Sequence, residues 1–353
     1  MMASDGAHVT TFSEDLFTPT AATSLLRIFA WAVVAVMFGF LINDYLIFWR
    51  GWPGLLPWMG QLGLFGIASP RQPISDGDMT LGWLQALSYL LCLTLPAAYV
   101  FATKNRSLRY DAQVLSDMSA YIIRASFWTV LFVGLADMVI SFLRVEGYLS
   151  GIVGPELTQN LGRSQFRGPY IHFPLIALAI VVAAFTRTLG FTWLALLVVV
   201  AELQIVLARF IFSYEQAFMG DLVRFWYAAL FLFASAYTLI EEGHVRVDVL
   251  YAGFTKQTKG MVNALGCVLL GITLCWVILS MGMWGRSNLI NSPLLSLEVS
   301  QSGFGMYVKY LMAGFLAIFA ISMMIQFASY LMESVADYRD DPGRREIEPE
   351  SLH

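Results

Sequence analysis

The sequence predicts an all-α, polytopic integral membrane protein with about eight transmembrane helices and with both termini in the cytoplasm. Composition is the first reason, because 58% of the 353 residues are hydrophobic and only 13% are charged, whereas soluble domains are about 45–50% apolar. The second reason is that long apolar runs recur along the whole chain. The third is that basic residues concentrate between particular runs, which is typical of cytoplasmic loops.

The apolar runs have the length that a bilayer requires, since a hydrocarbon core of about 30 Å is crossed by roughly 20 helical residues. The run 170–212 is too long for one span, because at 1.5 Å per residue it would reach about 64 Å. Arg187 and Gly190 mark a turn that divides it. The predicted helices are therefore 25–48, 82–103, 120–143, 170–187, 190–212, 222–240, 262–285 and 306–333.

The predicted orientation follows from three basic clusters. They are Lys104, Arg106 and Arg109; Arg246, Lys256 and Lys259; and Arg339, Arg344 and Arg345. The positive-inside rule places all three in the cytoplasm, which requires an even number of helices between successive clusters. Dividing 170–212 gives four helices between the first two clusters, whereas a single helix there gives three. The bases that then lie outside are Arg144, Arg163 and Arg167.

The segments outside the predicted helices differ in character. The first 24 residues are polar and lack a basic n-region, so we expect no cleavable signal peptide and an uncleaved signal anchor in the first apolar run. The Trp-, Pro- and Gly-rich stretch 48–66 suits the headgroup region. The Gly-rich stretch 145–170 is predicted to be a long external loop that covers the helix ends.

Two acidic residues, Asp137 and Glu202, lie well within apolar runs. A charged group at the middle of a membrane helix costs roughly 2.5–3.5 kcal/mol on insertion scales, so it usually faces protein and has a partner or a task. One interpretation is an ion or proton path. The other, which the pattern favours, is a buried hydrogen-bonding bracket between helices, with Gln204 or a Tyr, Trp or Arg side chain as the partner.

The sequence contains no pattern typical of an enzyme or a redox protein. Only one of its four histidines, His172, is near a predicted span, whereas a membrane cytochrome needs imidazoles that face each other across helices. The three cysteines lie in apolar runs without CxxC spacing, and no P-loop, GxSxG or HExxH motif occurs. Charge is scattered along the chain. We therefore predict no catalytic residue, no cofactor, no metal ion and no nucleic-acid partner.

One charged stretch, EEGHVRVDVLY at 241–251, interrupts two apolar runs. As a helix it pairs Glu242 with Arg246 and His244 with Asp248 at i,i+4 spacing. As an extended segment it places three valines on one side and the polar side chains on the other. Both alternatives give one apolar and one polar edge, which is typical of a segment at the membrane surface.

This stretch closely resembles the signature of the DctQ-type small membrane subunit of TRAP transporters. The signature positions are Glu242, Gly243, His244, Arg246, Asp248 and Tyr251. ARFIFS at 208–213, which includes Arg209, is similar to the end of that family's first helix. FMGDLVRFWYAALFLFASAY at 218–237 is similar to the second helix and carries Asp221 and Arg224.

The resemblance, which covers about 190–335, implies a subunit of a secondary uptake system rather than an enzyme. In such systems a periplasmic DctP-type binding protein captures an organic acid, and a large DctM-type membrane subunit moves it with sodium. The small subunit braces the large one in the bacterial inner membrane, in contact with its lipids. The resemblance also places the 241–251 loop on the cytoplasmic side and the substrate and sodium sites in the large subunit.

The predicted organisation has four parts. They are a polar tail (1–24), an extension with about four transmembrane helices (25–187), a DctQ-like four-helix domain (188–335) and a charged tail (336–353). Three roles stay open for the extension: a larger contact with the large subunit, lipid binding, or an additional partner. Two alternatives also stay open for the whole chain, namely a membrane anchor of a respiratory oxidoreductase that uses Glu202 and Asp137, and a self-sufficient carrier or channel.

Overall fold

The computed structural model describes residues 19–187, 191–214, 216–240, 251–299 and 305–343. Over these ranges the chain is helical, with turns between the helices and no β-strand. The helices are α1 (Ala21–Arg50), α2 (Leu55–Gln61), α3 (Asp76–Ala102), α4 (Leu108–Val145), α5 (Leu149–Val153), α6 (Pro155–Leu161), α7 (Ser164–Arg167), α8 (Phe173–Phe185), α9 (Phe191–Phe212), α10 (Met219–Ile240), α11 (Lys256–Gly266), α12 (Thr273–Met283), α13 (Asn291–Ser296) and α14 (Lys309–Tyr338). Two π-helical turns, Gly168–His172 and Cys267–Ile272, join α7 to α8 and α11 to α12.

Eight helices among the described residues are long and apolar enough to cross a membrane. They are Ala21–Arg50, Asp76–Ala102, Leu108–Val145, Ser164–Phe185, Thr192–Phe212, Met219–Ala236, Lys256–Met283 and Lys309–Tyr338. The predicted number of spans is therefore confirmed. The division of the long run 170–212 is confirmed as well, because α8 ends at Phe185 and α9 begins at Phe191. The orientation of the termini stays a prediction.

Several helices begin earlier than the apolar runs predicted. α4 begins at Leu108 instead of 120, and α11 begins at Lys256 instead of 262. Ser107 and Thr255 precede these helices, and the hydroxyl of each accepts a hydrogen bond from the backbone N–H three residues further on. Such caps hold a polar first turn in helical form. Hydropathy alone therefore places the start of these helices too late.

The centre of the bundle is the antiparallel pair of α4 and α14. The Ser119 hydroxyl donates to the carbonyl of Ser322 at 3.0 Å, and the Ser329 hydroxyl donates to the carbonyl of Ala112 at 2.6 Å. In α14, 50% of the most apolar stretch is buried, the largest share among the eight described spans. α4 lies in the predicted extension and α14 in the predicted DctQ-like domain, so these two parts share one hydrophobic core.

The stretch 145–170, which was predicted to be a long external loop over the helix ends, contains helical structure. It folds into α5, α6 and α7 and then continues through a π-helical turn into α8. Gly147 and Gly154 have φ values of 77° and 83°, which turn the chain after α4 and after α5. Arg167 is fully buried in the bundle, and its predicted location on the non-cytoplasmic side of the membrane stays a prediction. These short helices were not predicted, because glycines indicate turns but give no sign of the helices between them. The external side of the stretch stays a prediction.

Candidate functional site

Asp137 lies near the end of α4 inside the bundle, and its carboxylate makes three hydrogen bonds. Arg167 Nη1 donates to Oδ1 at 2.7 Å, and His172 Nε2 lies 3.1 Å from the same oxygen. The backbone N–H of Tyr307 donates to Oδ2 at 2.7 Å. The side chains of Asp137, Arg167 and His172 are 0% exposed. We call these three residues the buried charge cluster.

The local fold explains how the two basic residues reach Asp137. Arg167 ends α7, and its Nε donates to the carbonyl of Leu161 at 2.9 Å, which fixes the direction of the side chain. The π-helical turn Gly168–His172 follows directly. A π-turn changes the angle at which the next side chains leave the helix. His172 thus faces the cluster, and the Arg167 guanidinium lies 4.2 Å from the ring centre of Tyr307.

Two tyrosines surround the buried charge cluster. The Tyr310 hydroxyl lies 2.8 Å from His172 Nδ1, so both ring nitrogens of this histidine are engaged. The Tyr307 hydroxyl donates to the carbonyl of Gly162 at 2.9 Å and accepts from Arg144 Nη1 at 2.6 Å. The cluster therefore continues into a polar network that connects α4, the α7–α8 helix and the segment before α14.

This arrangement is suited to holding helices together rather than to binding a ligand. A buried carboxylate needs a charged partner and further hydrogen bonds to offset its desolvation, and Asp137 has both. Among the described residues, no group of three or more His, Cys, Asp or Glu side chains could hold a metal ion. Asp137 has the geometry of the hydrogen-bonding bracket that the sequence favoured, with an arginine as its partner.

Asp221, a position singled out by the resemblance, holds the residue next to Tyr307. It lies in the first turn of α10, and its Oδ2 accepts the backbone N–H of Met306 at 3.2 Å. Arg224 Nη1 is 3.6 Å from Asp221 Oδ1, and its side chain is 76% exposed. The chain before α14 is therefore bound by carboxylates from two helices, and Arg224 adds a surface contact.

A second buried ion pair lies within the extension and was not predicted. Arg27 Nε donates to Asp111 Oδ2 at 2.6 Å, and Arg27 Nη1 donates to the carbonyl of Thr103 at 2.8 Å. Both charged side chains are almost completely buried. The sequence did contain a signal for this pair. Arg27 lies near the start of the apolar run 25–48, and Asp111, of opposite charge, lies shortly before the run 120–143.

Glu202 and Gln204 lie on the surface of the described structure, not between its helices. The buried residues of α9 are Leu194 and Ala201, and α9 packs chiefly on α10. No hydrogen bond or ion pair reaches the Glu202 side chain from another described residue. Among the described residues, the prediction that Glu202 forms a buried hydrogen-bonding bracket between helices is therefore wrong. Its position one residue after Ala201 turns it about 100° away from the packed face.

The last turn of α9 carries Arg209, whose side chain is exposed. A basic residue there is favourable because the carbonyl end of a helix is electronegative. Just beyond the helix, the Tyr214 hydroxyl donates to Glu146 Oε1 at 2.6 Å. This hydrogen bond raises the pKa of Tyr214. It also fixes the end of α9 beside the end of α4.

Most of the charged 241–251 stretch lies outside the part of the chain that the structure describes. Five of its signature positions lie outside the described residues: Glu242, Gly243, His244, Arg246 and Asp248. The interfacial turn accordingly stays a prediction. Tyr251 is described, and Asn263 Nδ2 donates to its hydroxyl at 2.9 Å. Lys259 Nζ lies 5.2 Å from the ring centre of Tyr251.

The described helices and their shared core define a multi-pass helical membrane protein. Residues 195–335 match the family model described as "Tripartite ATP-independent periplasmic transporters, DctQ component". The chain therefore carries a DctQ domain, the small membrane component of a TRAP transporter, and DctQ is a family of non-enzymatic permease subunits. The resemblance predicted over about 190–335 is confirmed. The comparisons with curated proteins and with solved structures found no match.

The match begins inside α9 and ends inside α14, so α1 to α8 precede it. The polar network around Asp137 crosses its boundary. The buried charge cluster of Asp137, Arg167 and His172 lies before the matched region, whereas Tyr307 and Tyr310 lie within it. The extra helices are thus connected to the DctQ domain by buried hydrogen bonds and not only by apolar packing.

Proposed function

We propose that this chain is the small membrane subunit of a sodium-coupled TRAP uptake system for organic acids in a bacterial inner membrane. In this role it braces the large DctM-type membrane subunit and works with a periplasmic DctP-type binding protein. The observation that carries the proposal is the DctQ match at 195–335. The four-part organisation, with an extension before a DctQ-like domain and a tail at either end, belongs to the same proposal.

The contacts between the two parts of the described bundle support a bracing role. A subunit that holds another in place needs helices whose mutual positions are fixed. α4 and α14 share one core, and the segment before α14 is bound by Asp137 and Asp221. These contacts extend across both the extension and the DctQ domain, so we infer that the two parts act as one brace.

The buried acids of the described chain support a location of the substrate and sodium sites on the large subunit. Each is engaged with groups of the chain itself. Asp137 binds Arg167, Asp111 binds Arg27, and the Asp44 carboxylate accepts a hydrogen bond from an asparagine side chain of α13 at 2.9 Å. Two of these carboxylates are thus paired with arginines and the third with an amide, so each has a partner within the chain.

The oxidoreductase alternative receives no support from the histidine nearest a span. A haem ligand needs a ring nitrogen that is available to iron. In His172 the two ring nitrogens are occupied by Asp137 and Tyr310. Glu202 and Asp137, the residues that this alternative would use, also differ completely in environment, since one is exposed and the other buried.

The test is the composition of the complex that a tagged full chain retains. We expect it to co-purify with a large polytopic subunit after co-expression with the genes next to its own. Proteoliposomes with both subunits are expected to take up an organic acid only when the binding protein and an inward sodium gradient are present.

Three results would contradict the proposal. Uptake by this chain alone would indicate a self-sufficient carrier. A haem absorbance band in the purified protein would indicate a redox anchor. Sodium-independent uptake by the complete complex would remove the coupling that we propose.

A further inference from the structure

Glu202 stands at the centre of a membrane span yet faces away from the bundle. It is the middle residue of the span Thr192–Phe212, and the ten residues on either side correspond to ~15 Å of helix. Its side chain is exposed in the described structure. An ionisable side chain at this depth normally faces protein or a water-filled cavity. Its surroundings are therefore incomplete within the residues that the structure describes.

Glu202 belongs to a regular row of exposed residues along α9. Val199, Glu202, Val206 and Arg209 follow one another at spacings of three and four, which places them on one side of the helix. The two valines are 62% and 47% exposed. We call these four residues the Glu202 stripe. It lies beside the packed row that contains Leu194 and Ala201, so a second helix could lie along it without displacing α10.

The described part of the chain does not cover this side of α9. Only 11% of the most apolar stretch of α9 is buried, the lowest share among the eight described spans. The extension packs elsewhere, because α4 contacts α8 and α14 extensively and α9 only slightly. Lipid tails offer no hydrogen-bond donor to a carboxylate. A second protein that brings a donor meets the requirement of Glu202.

We propose that the Glu202 stripe is the docking face for a transmembrane helix of the large DctM-type subunit. This inference rests on the proposed function. The docking helix carries a cationic or hydrogen-bond-donating side chain at the depth of Glu202 and an acceptor near Arg209. Because the two charges of the stripe have opposite signs and lie two turns apart, they also select one register of the docking helix.

A second copy of this chain fits the stripe less well. Two copies in one membrane have the same orientation, and a two-fold axis along the membrane normal would place the same face of both α9 helices together. The two Glu202 carboxylates would then meet at the same depth. Like charges in a medium of low dielectric constant repel strongly. The stripe therefore favours a different protein with the complementary charge pattern.

The first test compares variants of the tagged full chain in a pull-down of the large subunit. Glu202→Leu is expected to reduce retention about threefold to tenfold, the range expected from interhelical hydrogen bonds in membranes. Val199→Trp, which adds bulk to the stripe, is expected to reduce it at least as much. Leu90→Trp is the matched control, because Leu90 is 55% exposed near the middle of α3. It is expected to retain the large subunit as the unchanged chain does.

The second test identifies the neighbour directly. A photoreactive phenylalanine analogue at position 206 is expected to form a covalent adduct with the large subunit, whereas the same analogue at position 90 is not. Adducts with a second copy of this chain, or with lipid only, would overturn the inference. So would full retention of the large subunit by both stripe variants. Thermal unfolding in detergent shows whether each variant is folded.

The two proposals fail in different ways. If the unchanged chain retains no large subunit, the proposed function is wrong, and the docking face fails with it. If the unchanged chain retains the large subunit and the stripe variants retain it equally, the proposed function stands and only the docking face is wrong.

Discussion

Asp137 and Asp221, from two different helices, accept hydrogen bonds from successive backbone amides at the start of the last membrane span. Asp137 binds the amide of Tyr307 at 2.7 Å, and Asp221 binds the amide of Met306 at 3.2 Å. Asp137 belongs to the extension and Asp221 to the DctQ domain. The two halves of the chain thus position one short segment together. The construction of the bundle and the family signature lead to five predictions.

Replacing Asp137 by leucine is expected to lower the free energy of unfolding by about 3–5 kcal/mol, because Arg167 would stay buried without its counter-charge. The measurement is thermal or denaturant unfolding of the purified chain in detergent. Asp117→Leu is the control on the same helix, since Asp117 is exposed and surface changes are usually within about 0.5 kcal/mol. Equal effects of the two substitutions would show that the buried charge cluster contributes little.

Replacing both Asp137 and Arg167 is expected to lower the free energy of unfolding by less than the sum of the two single replacements. In Asp137→Leu/Arg167→Met no buried ion is left unpaired, and well-packed apolar replacements of buried ion pairs are often tolerated. A double-mutant cycle measures the difference, for which contacting residues typically give about 0.5–3 kcal/mol. Additive losses would mean that the two side chains act independently.

Gly134→Ala is expected to destabilise the chain by about 1–3 kcal/mol through overpacking. A Cβ atom at Gly134 would lie 2.5 Å from Nε1 of Trp226, a buried side chain of α10. Gly77→Ala is the matched control, because nothing lies within 4 Å of a Cβ atom there, and alanine is preferred to glycine in a helix. Unfolding curves that rank the two variants in the opposite order would contradict the close contact of α4 with α10.

A truncated chain that begins at residue 188 is expected to aggregate or elute as a broad peak in size-exclusion chromatography. Its α14 would lose the cover of α4 along the whole interface that includes Ser119 and Ser322. Deletion of residues 1–18 is the control, because it leaves Thr20, whose hydroxyl caps α1. If the truncated chain were monodisperse and still retained the large subunit, the extension would be a separate appendage.

Arg246→Ala and Asp248→Ala are expected to lower complex assembly or uptake without altering which substrate the binding protein captures. The reason is the family signature, which places both residues on the polar edge of the predicted interfacial turn. Lys256→Ala is a useful control, since it removes an exposed cation at the start of α11. Uptake assays and ligand-binding measurements check the two parts of the prediction. A changed ligand selectivity of the binding protein would contradict it.

The number and order of the spans could be predicted from the sequence because apolar length is a direct consequence of bilayer thickness. The family could be predicted because its signature is local. The partner of Asp137 could not be predicted, because Arg167 is 30 residues away in a stretch whose glycines indicated a long external loop. The side on which Glu202 would lie could not be predicted either. An all-round apolar helix shows no periodicity that separates the packed side from the free one.

The buried charge cluster also constrains how the chain is made. Asp137 lies in α4, whereas Arg167 and His172 follow it by 30 and 35 residues and the amide that completes its hydrogen bonds is 170 residues away. The charged partner is therefore available early, but the third hydrogen bond of the carboxylate can form only after the segment before α14 has been added. Biogenesis of this protein is complete only when α14 has entered the membrane, so newly made chains that lack this helix should be substrates for membrane quality-control proteases.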